Sequence, residues 1–207
     1  METTYIFGTS GFAREVRDIV AALGGETVFV ARDAAERDGF TGPERAIIEG
    51  DLPSDANLAI GIGDNGVRAR IAARFEDRTF PNLIHPSATM GSGQADLIAQ
   101  SRGVVLCAGA RLTNGIAVGD FVIVNLNATI GHDCHIEDFV NIAPGANISG
   151  YVRLERGCWI GTGAAINQGG ADKRLVVGAE TMIGSGSVVV KDCEPGKVYV
   201  GIPAKAR

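Results

Sequence analysis

The sequence predicts a small α/β domain followed by a parallel β-helix. Apolar strands alternate with amphipathic helices in the first third, which is typical of a parallel sheet. Aliphatic residues recur every six positions further on, a period that fits neither an α-helix nor a flat strand. Ten of the 29 glycines lie in residues 1–90 and nineteen in residues 91–207. We therefore predict two domains, residues 1–82 and residues 83–207.

The N-terminal domain is predicted from short apolar runs and helical periodicity. Residues 4–8, 27–31 and 58–62 read as buried strands, and Ser10-Gly11 opens the first helix. That helix carries four apolar residues on one face: Val16, Ile19, Val20 and Leu23. The second helix carries Val67, Ile71 and Phe75. Strand and helix alternate as in a parallel sheet.

A glycine turn joins the first strand to the first helix. Gly8-Thr-Ser-Gly11 is a GxxG sequence, shorter than the full GxGxxG motif. Free backbone N–H groups at such a turn can hold a phosphate. A plain structural turn is the alternative interpretation.

The six-residue period predicts the second domain. Eleven consecutive positions are aliphatic: Leu106, Leu112, Val118, Val124, Ile130, Ile136, Ile142, Ile148, Leu154, Ile160 and Ile166. The period resumes at Val177 after an insertion of about five residues. One hexad fits one wall of a three-walled coil, so eighteen residues make a turn, and turns stack at about 4.8 Å.

The cysteines are predicted to be core residues. Cys134, Cys158 and Cys193 fall four positions after an aliphatic anchor, where small or β-branched residues predominate. None of the four cysteines shows CxxC spacing, which argues against a zinc site. We expect no metal.

Composition excludes several functional classes. The net charge of −5 lacks the basic excess of nucleic-acid-binding proteins. No apolar run reaches the roughly 18 residues that a membrane span needs. The first residues lack a basic and apolar leader. We expect a cytoplasmic protein with no nucleic-acid or membrane partner.

Several stretches resemble one family of hexapeptide-repeat acyltransferases. They are Phe7 to Val16, Ile62 to Asn65, Leu83 to Ala88, Asn125 to Gly150 and Tyr199 to Lys205. The chain is similar, end to end, to the sialic acid O-acetyltransferase and nucleotide-amino-sugar N-acetyltransferase family. The resemblance implies a left-handed β-helix and a homotrimer with active sites between subunits. It also implies acetyl-CoA as donor, and a nucleotide-linked amino sugar or a sialic acid as acceptor.

Three histidines compete for the role of general base. The resemblance assigns it to His132, the third residue of its hexad, followed by the acidic Asp133. We expect His85 to be structural and His135 to be a solvated or interface residue. Residues eighteen apart stack, so Gly150 lies directly above His132. We expect this glycine to leave space beside the imidazole for a thioester, with its N–H facing the oxyanion; a simple turn is the alternative.

The resemblance also implies two sets of binding residues. The coenzyme A set is Asn125, Asn141, Gly150, Thr162, Ser185 and Lys205. The nucleotide-sugar set is Gly8, Ser10, Gly11, Phe12, Arg32, Asp33, Asp64 and Asn65. Phe12, Asn141 and the Ala31-Arg32-Asp33 segment depart from the family pattern, so the base and sugar stay open. The insertion at residues 169–176 is either a solvated loop or a loop closing over coenzyme A.

The function expected from this resemblance is N-acetylation of a nucleotide-linked amino sugar by direct transfer from acetyl-CoA, for bacterial surface glycan synthesis. O-acetylation of a sialic acid or another sugar hydroxyl is the first alternative. A non-catalytic trimeric β-helix scaffold is the second.

Overall fold

A computed structural model describes residues 2–207 and begins with a four-stranded parallel sheet. The spatial order is β3-β2-β1-β4, with helices between the strands. The elements are β1 (Thr3–Phe7), α1 (Gly11–Ala22), β2 (Glu26–Ala31), α2 (Ala34–Asp38), β3 (Arg45–Ile48), β4 (Asn57–Ile60) and α3 (Asn65–Arg74). Neither α2 nor β3 is predicted from the sequence, because a five-residue helix and a four-residue strand carry almost no periodicity. In residues 2–207, no helix has both the length and the apolar character to cross a bilayer.

The rest of the chain coils into a three-walled parallel β-helix. The first wall contains β5 (Leu83–Ile84), β7 (Val105–Leu106), β10 (Ile123–Val124), β13 (Asn141–Ile142), β16 (Trp159–Ile160), β19 (Met182–Ile183), β21 (Val198–Gly201) and β22 (Ala204–Ala206). The second wall contains β6 (Thr89–Met90), β8 (Arg111–Leu112), β11 (Thr129–Ile130), β14 (Asn147–Ile148), β17 (Ala165–Ile166) and β20 (Val188–Val189). The third wall contains β9 (Ala117–Val118), β12 (His135–Ile136), β15 (Val152–Leu154) and β18 (Leu175–Val177).

The register confirms the eighteen-residue turn. Ile123 pairs with Asn141, and Asn141 with Trp159, each in parallel. All eleven aliphatic anchors are buried inside the prism, together with Cys134, Cys158 and Cys193. The hexad therefore places one large apolar side chain per wall in the core.

Corners are formed by residues in the left-handed region. The residue three positions after every anchor from Leu106 to Ile160 has positive φ, whether it is glycine, as at Gly145, or not, as at Asp133 (φ 58°) and Tyr151 (φ 56°). Gly169, which follows Ile166 at the start of the insertion, does not follow this rule. Non-glycine residues adopt this region at a cost of about 1 kcal/mol. We name the corners by their residues: the docking corner (Phe121, Phe139, Gly157), the threonine corner (Thr162, Gly163, Ser185) and the histidine corner (His132, Asp133, Gly150, Tyr151).

A short helix, α4 (Gln94–Ile98), closes the start of the third wall. The side chain of Gln94 is fully buried and imitates a strand backbone. Its Nε2 donates to the Ile116 carbonyl at 2.8 Å, and its Oε1 accepts from the Ile116 N–H at 3.0 Å. The hexad register breaks here because an amide side chain replaces a strand.

The α/β domain packs on the first wall through α1. Val16 and Ile19 share one buried cluster with Leu83, Val105 and Ile123. This contact covers the N-terminal half of the wall. The two parts are therefore held in one orientation by apolar burial.

Arg68 of α3 joins the domain to the docking corner. Its guanidinium is 1% exposed and donates to the Phe121 and Phe139 carbonyls at 2.9 and 2.8 Å. It also donates to the Gly63 carbonyl and Asn65 Oδ1, each at 2.9 Å. Burial lowers the pKa of Arg68 to about 10, so the group stays charged at neutral pH.

Replacing Arg68 with Met should lower the free energy of unfolding by about 3 kcal/mol, because the variant strands several buried carbonyls without a donor. Urea unfolding followed by circular dichroism and Trp159 fluorescence measures the change. Arg70→Met, on the exposed side of the same helix, is the control and should shift stability by under about 0.5 kcal/mol. An unchanged midpoint for Arg68→Met would contradict this role.

Candidate active site

The histidine corner holds a paired imidazole and carboxylate. His132 Nδ1 and Asp133 Oδ2 lie 2.8 Å apart, in adjacent residues between β11 and β12. Because an ionised carboxylate only accepts, Nδ1 carries the proton and the Nε2 lone pair stays free. The left-handed backbone at Asp133 turns its side chain back toward the preceding imidazole. The pair has the arrangement of a general base and its orienting acid.

The imidazole lies over Gly150, as the stacking predicts. A Cβ on Gly150 would come within 2.7 Å of His132 Nε2 and 2.8 Å of Cε1. The expectation of open space at this glycine is therefore wrong in one respect, since the ring itself fills that space. Within residues 2–207 the Gly150 N–H has no acceptor, so it can serve a ligand.

Tyr151 completes the corner and was not predicted as a site residue. Its ring meets the His132 ring edge-on, with centroids 5.0 Å apart and planes at 89°. Tyr151 lies eighteen residues after Asp133, so the stacking rule contained the signal. The ring fixes one edge of the imidazole while the pair remains accessible, with the His132 side chain 44% exposed.

The other histidines lie elsewhere. His85 Nδ1 accepts from the Ser87 N–H at 3.0 Å, in a local turn near the start of the coil. His135 is exposed on the third wall in β12. Neither lies at the histidine corner.

The coenzyme A set is divided between different faces of the protomer. Thr162 and Ser185 are exposed at the threonine corner, and Asn125 lies at the end of the first wall beside it. Gly150 lies at the histidine corner. Lys205 is exposed on the C-terminal hairpin of β21 and β22. One chain does not bring these residues together.

Asn141 is placed differently from the other members of that set. It lies in β13 on the first wall, only 2% exposed. Its Nδ2 is buried and has no hydrogen-bond partner in the described chain. It does not reach His132 of its own chain.

A cavity of about 610 Å³ opens at the carboxyl ends of the N-terminal strands. Gly8 and Ser10 line it after β1, and Arg32 lines it after β2. It lies where the strand order reverses beside β1, which is where open α/β sheets bind ligands. Its floor is apolar and its rim is charged: Phe7, Val30, Ile62, Val67, Ile71, Glu36, Glu49, Arg70 and Arg74.

Glu36 lines this cavity, and Asp33 does not. The Asp33 carboxylate caps α2 by accepting from the Glu36 N–H at 2.8 Å, which keeps its pKa below the usual range. Glu36 turns back, where its carboxylate accepts from the Arg32 N–H at 2.9 Å and from the Thr9 hydroxyl. Glu36, three residues after the expected Asp33, is therefore the acidic residue after β2 that lines the cavity.

Other members of the nucleotide-sugar set also cap helices, bond to the coil or pack in the core. Asp64 caps α3 through the Val67 N–H at 2.7 Å, and Asn65 donates to the Gly157 carbonyl at 2.7 Å. Both line a second cavity of about 640 Å³ between α3 and the coil. Phe12 packs against the cluster between α1 and the first wall, and Gly11 begins α1.

The four cysteines are buried and unpaired. Burial raises the pKa of Cys107 to about 12 and that of Cys193 to about 11. The pKa values of Cys134 and Cys158 are raised for the same reason. Thiolates are the reactive form, so none of these side chains is suited to be a nucleophile. In the described chain, no three His, Cys, Asp or Glu side chains cluster as a metal site would require.

Comparisons with known proteins show the family of the chain. Residues 4–75 match the PglD N-terminal domain family. The acetyltransferase domain of PglB from Neisseria gonorrhoeae FA1090 superposes with a TM-score of 0.86 at 30% identity, covering all of both chains. The chain belongs to the sialic acid O-acetyltransferase and nucleotide-amino-sugar N-acetyltransferase family. Its coil is accordingly the left-handed β-helix of that family.

Two further relatives of this family carry informative names. A histidine-to-asparagine variant of perosamine N-acetyltransferase from Caulobacter crescentus, in complex with CoA and GDP-perosamine, has a TM-score of 0.87 at 26% identity, covering 100% of this chain and 97% of that one. GDP-perosamine N-acetyltransferase from Escherichia coli O157:H7 is 37% identical over 77 residues, which are 37% of this chain and 35% of that protein. The matches to curated relatives thus span well under half of their length.

Gly150→Ala tests the packing of this family's corner. Gly150 has no positive φ, and the nearest groups to an added methyl all belong to the His132 ring. The substitution should displace the imidazole and lower kcat about 100-fold without changing the melting temperature. Gly50→Ala, whose Cβ would meet nothing, is the control. Full activity in Gly150→Ala would contradict the geometry described.

Proposed function

We propose that the protein transfers the acetyl group of acetyl-CoA to the amine of a nucleotide-linked amino sugar, with His132 as general base. The observation that carries this proposal is the His132–Asp133 pair, 2.8 Å apart and accessible at a corner of the coil. Support comes from the match over the full chain to the PglB acetyltransferase domain. That domain has also been seen in complex with acetyl coenzyme A, at 30% identity and a TM-score of 0.86.

The chemistry follows from the free lone pair on His132. An amino sugar is mostly an ammonium ion near neutral pH, and only the free amine attacks a thioester. Nε2 of His132 accepts a proton from the amine as its nitrogen bonds to the acetyl carbon. The Asp133 carboxylate, bonded at Nδ1, stabilises the imidazolium that forms. The C–S bond then breaks, and the proton passes from Nε2 to the sulfur, so that coenzyme A leaves as the thiol.

The tetrahedral intermediate requires a donor for its oxyanion. The Gly150 N–H is free and lies beneath the imidazole. We assign it this role, because a fixed backbone donor is worth about 10²–10³ in kcat at such sites. Because all four cysteines are buried with raised pKa values, we expect direct transfer and no acyl-enzyme.

The acceptor nucleotide fits the cavity at the carboxyl ends of the N-terminal strands. Its apolar floor suits a base, and the turn at Gly8 and the rim arginines Arg70 and Arg74 suit a diphosphate. Glu36 is placed to accept from the ribose or the base. The relatives named for GDP-perosamine make a GDP-linked sugar the first acceptor to test.

The site needs a second chain. The α/β domain docks on the first wall and the docking corner, whereas His132 lies on the corner opposite that wall. One protomer therefore holds its nucleotide cavity away from its own base. The coenzyme A set is divided in the same way, with Thr162 and Ser185 at one edge of the second wall and Gly150 at the other.

A homotrimer built around the second wall would reunite these groups. That wall is not covered by the α/β domain, and its outward strand residues are mostly short: Arg111, Thr129, Asn147, Ala165 and Val188. When three prisms face an axis with this wall, the histidine corner of each meets the threonine corner of the next. The base of one protomer then faces the cofactor groove and nucleotide domain of its neighbour.

His132→Asn should lower kcat/KM by about 10²–10⁴, because the amine loses its proton acceptor. Release of free thiol from acetyl-CoA, measured over a panel of nucleotide amino sugars, reports the rate. Stabilisation by coenzyme A in a thermal-shift assay should persist. His135→Asn, on the exposed third wall, is the matched control and should match the wild type.

Near-normal turnover by His132→Asn would reject the assignment of the base. If the protein acetylates sugar hydroxyls and not amino sugars, the reaction is O-acetylation. Absence of any stabilisation by coenzyme A would favour the non-catalytic scaffold.

Mixing two inactive variants tests the shared site. Thr162→Trp should block the cofactor groove, and His132→Ala removes the base. Trimers assembled at random from equal amounts should regain about a quarter of wild-type activity, because one neighbour then supplies His132 and the other Thr162. Co-expression with two affinity tags gives the mixed trimers. Mixtures with no activity above the separate variants would indicate a site within one chain.

A further inference from the structure

The insertion after β17 packs onto the histidine corner. Val177 lies eleven positions after Ile166, where the period requires a step of six. The extra residues form a tight turn closed by the Gly170 N–H and the Lys173 carbonyl at 2.8 Å. On either side of the turn, the Gly169 and Leu175 N–H groups donate to the Gly150 and Tyr151 carbonyls at 3.0 and 3.1 Å. The insertion therefore binds the backbone on which the His132 ring lies.

Arg174 extends this contact to Asp133, the residue whose carboxylate pairs with His132. Its Nε donates to the Asp133 carbonyl at 3.2 Å, across the intervening coil that holds Tyr151. The Asp133 N–H is already bonded to the Asn114 carbonyl at 3.1 Å. Arg174 therefore holds the other side of the left-handed residue whose carboxylate orients His132.

At the docking corner, a buried arginine likewise donates to the carbonyls of left-handed residues. There the carbonyls of the left-handed residues Phe121 and Phe139 accept from no backbone N–H of residues 2–207, and Arg68 donates to both. A guanidinium is suited to such carbonyls because it offers several N–H groups in one plane. At the histidine corner this donor is Arg174, which is exposed.

The neighbouring lysine differs from Arg174 in its contacts. Lys173 Nζ pairs with Asp192 Oδ2 at 3.1 Å, at the base of the insertion. Arg174 forms no ion pair with a carboxylate of residues 2–207. One hydrogen bond from an exposed side chain contributes little to the stability of the fold. The hydrogen bond from Arg174 therefore matters for the orientation of Asp133 and His132 more than for the stability of the fold.

We propose that Arg174 is a positioning residue, through which the insertion fixes Asp133 and thereby the direction of His132 Nε2. This inference rests on the proposed function, since the orientation of His132 matters only if it is the base. In this proposal the insertion is part of the active corner, with residues 170–174 exposed to solvent.

Three variants test this role: Arg174→Ala, Arg174→Lys and, as the matched control, Lys173→Ala. Arg174→Ala should lower kcat about tenfold, the lower end of the range for groups that orient a functional side chain. KM for acetyl-CoA should stay within about twofold, because the contact is to the protein and not to the cofactor. Arg174→Lys should be intermediate, and added guanidinium ion should restore part of the activity of Arg174→Ala. Lys173→Ala should match the wild type.

Three results would overturn the proposal. A raised KM for acetyl-CoA with unchanged kcat in Arg174→Ala would make Arg174 a cofactor contact. An equal loss in Lys173→Ala would indicate general disturbance of the loop. Wild-type kinetics in Arg174→Ala would remove the role altogether.

A second readout separates this proposal from the proposed function. Hydrogen exchange measured by mass spectrometry should be faster in Arg174→Ala for peptides covering residues 129–152, and unchanged at the threonine corner. If the wild type acetylates no sugar, the proposed function fails, and the exchange result still decides whether Arg174 holds the corner. Unchanged exchange at residues 129–152 would contradict the proposal.

Discussion

The left-handed residue at each corner is the constraint on which the rest of the structure depends. It turns the chain at the end of most hexads, so that most strands of the coil are two or three residues long and the third residue after an anchor lies at an edge. Side chains at the edges project from the prism, whereas anchors fill it. His132 and Asp133 occupy one of these edges. The cost of the left-handed backbone is offset by stacking, as between the parallel rings of Phe121 and Phe139, whose centroids are 5.2 Å apart.

Arginine side chains supply hydrogen-bond donors to carbonyls at the corners. A left-handed corner exposes carbonyls that the coil does not pair, and Arg68 meets two of them at the joint between the domains. That joint holds the α/β domain on the first wall, whereas His132 lies at the corner between the second and third walls. This separation is the reason that we propose a site shared with a neighbouring chain.

Much of the coil was predictable because its aliphatic residues recur at a fixed spacing of six. The six-residue step identified every anchor from Leu106 to Ile166, and the eighteen-residue column placed Gly150 on His132. The adjacent column, eighteen residues after Asp133, contained Tyr151. The contacts of Arg174 and Glu36 were not predictable, since each depends on how a side chain turns back across a loop. Asp33 was expected in the nucleotide site, but it caps a helix that is too short to leave a periodic signal.

A crystal structure with bound coenzyme A and a nucleotide amino sugar would test the central claim most directly. The account predicts the coenzyme A sulfur within about 4 Å of His132 Nε2 of one protomer, with the cofactor lying along Thr162 and Ser185 of the adjacent protomer and the nucleotide beside Gly8. A cofactor whose sulfur lies remote from every His132, or whose whole length contacts a single chain, would contradict it.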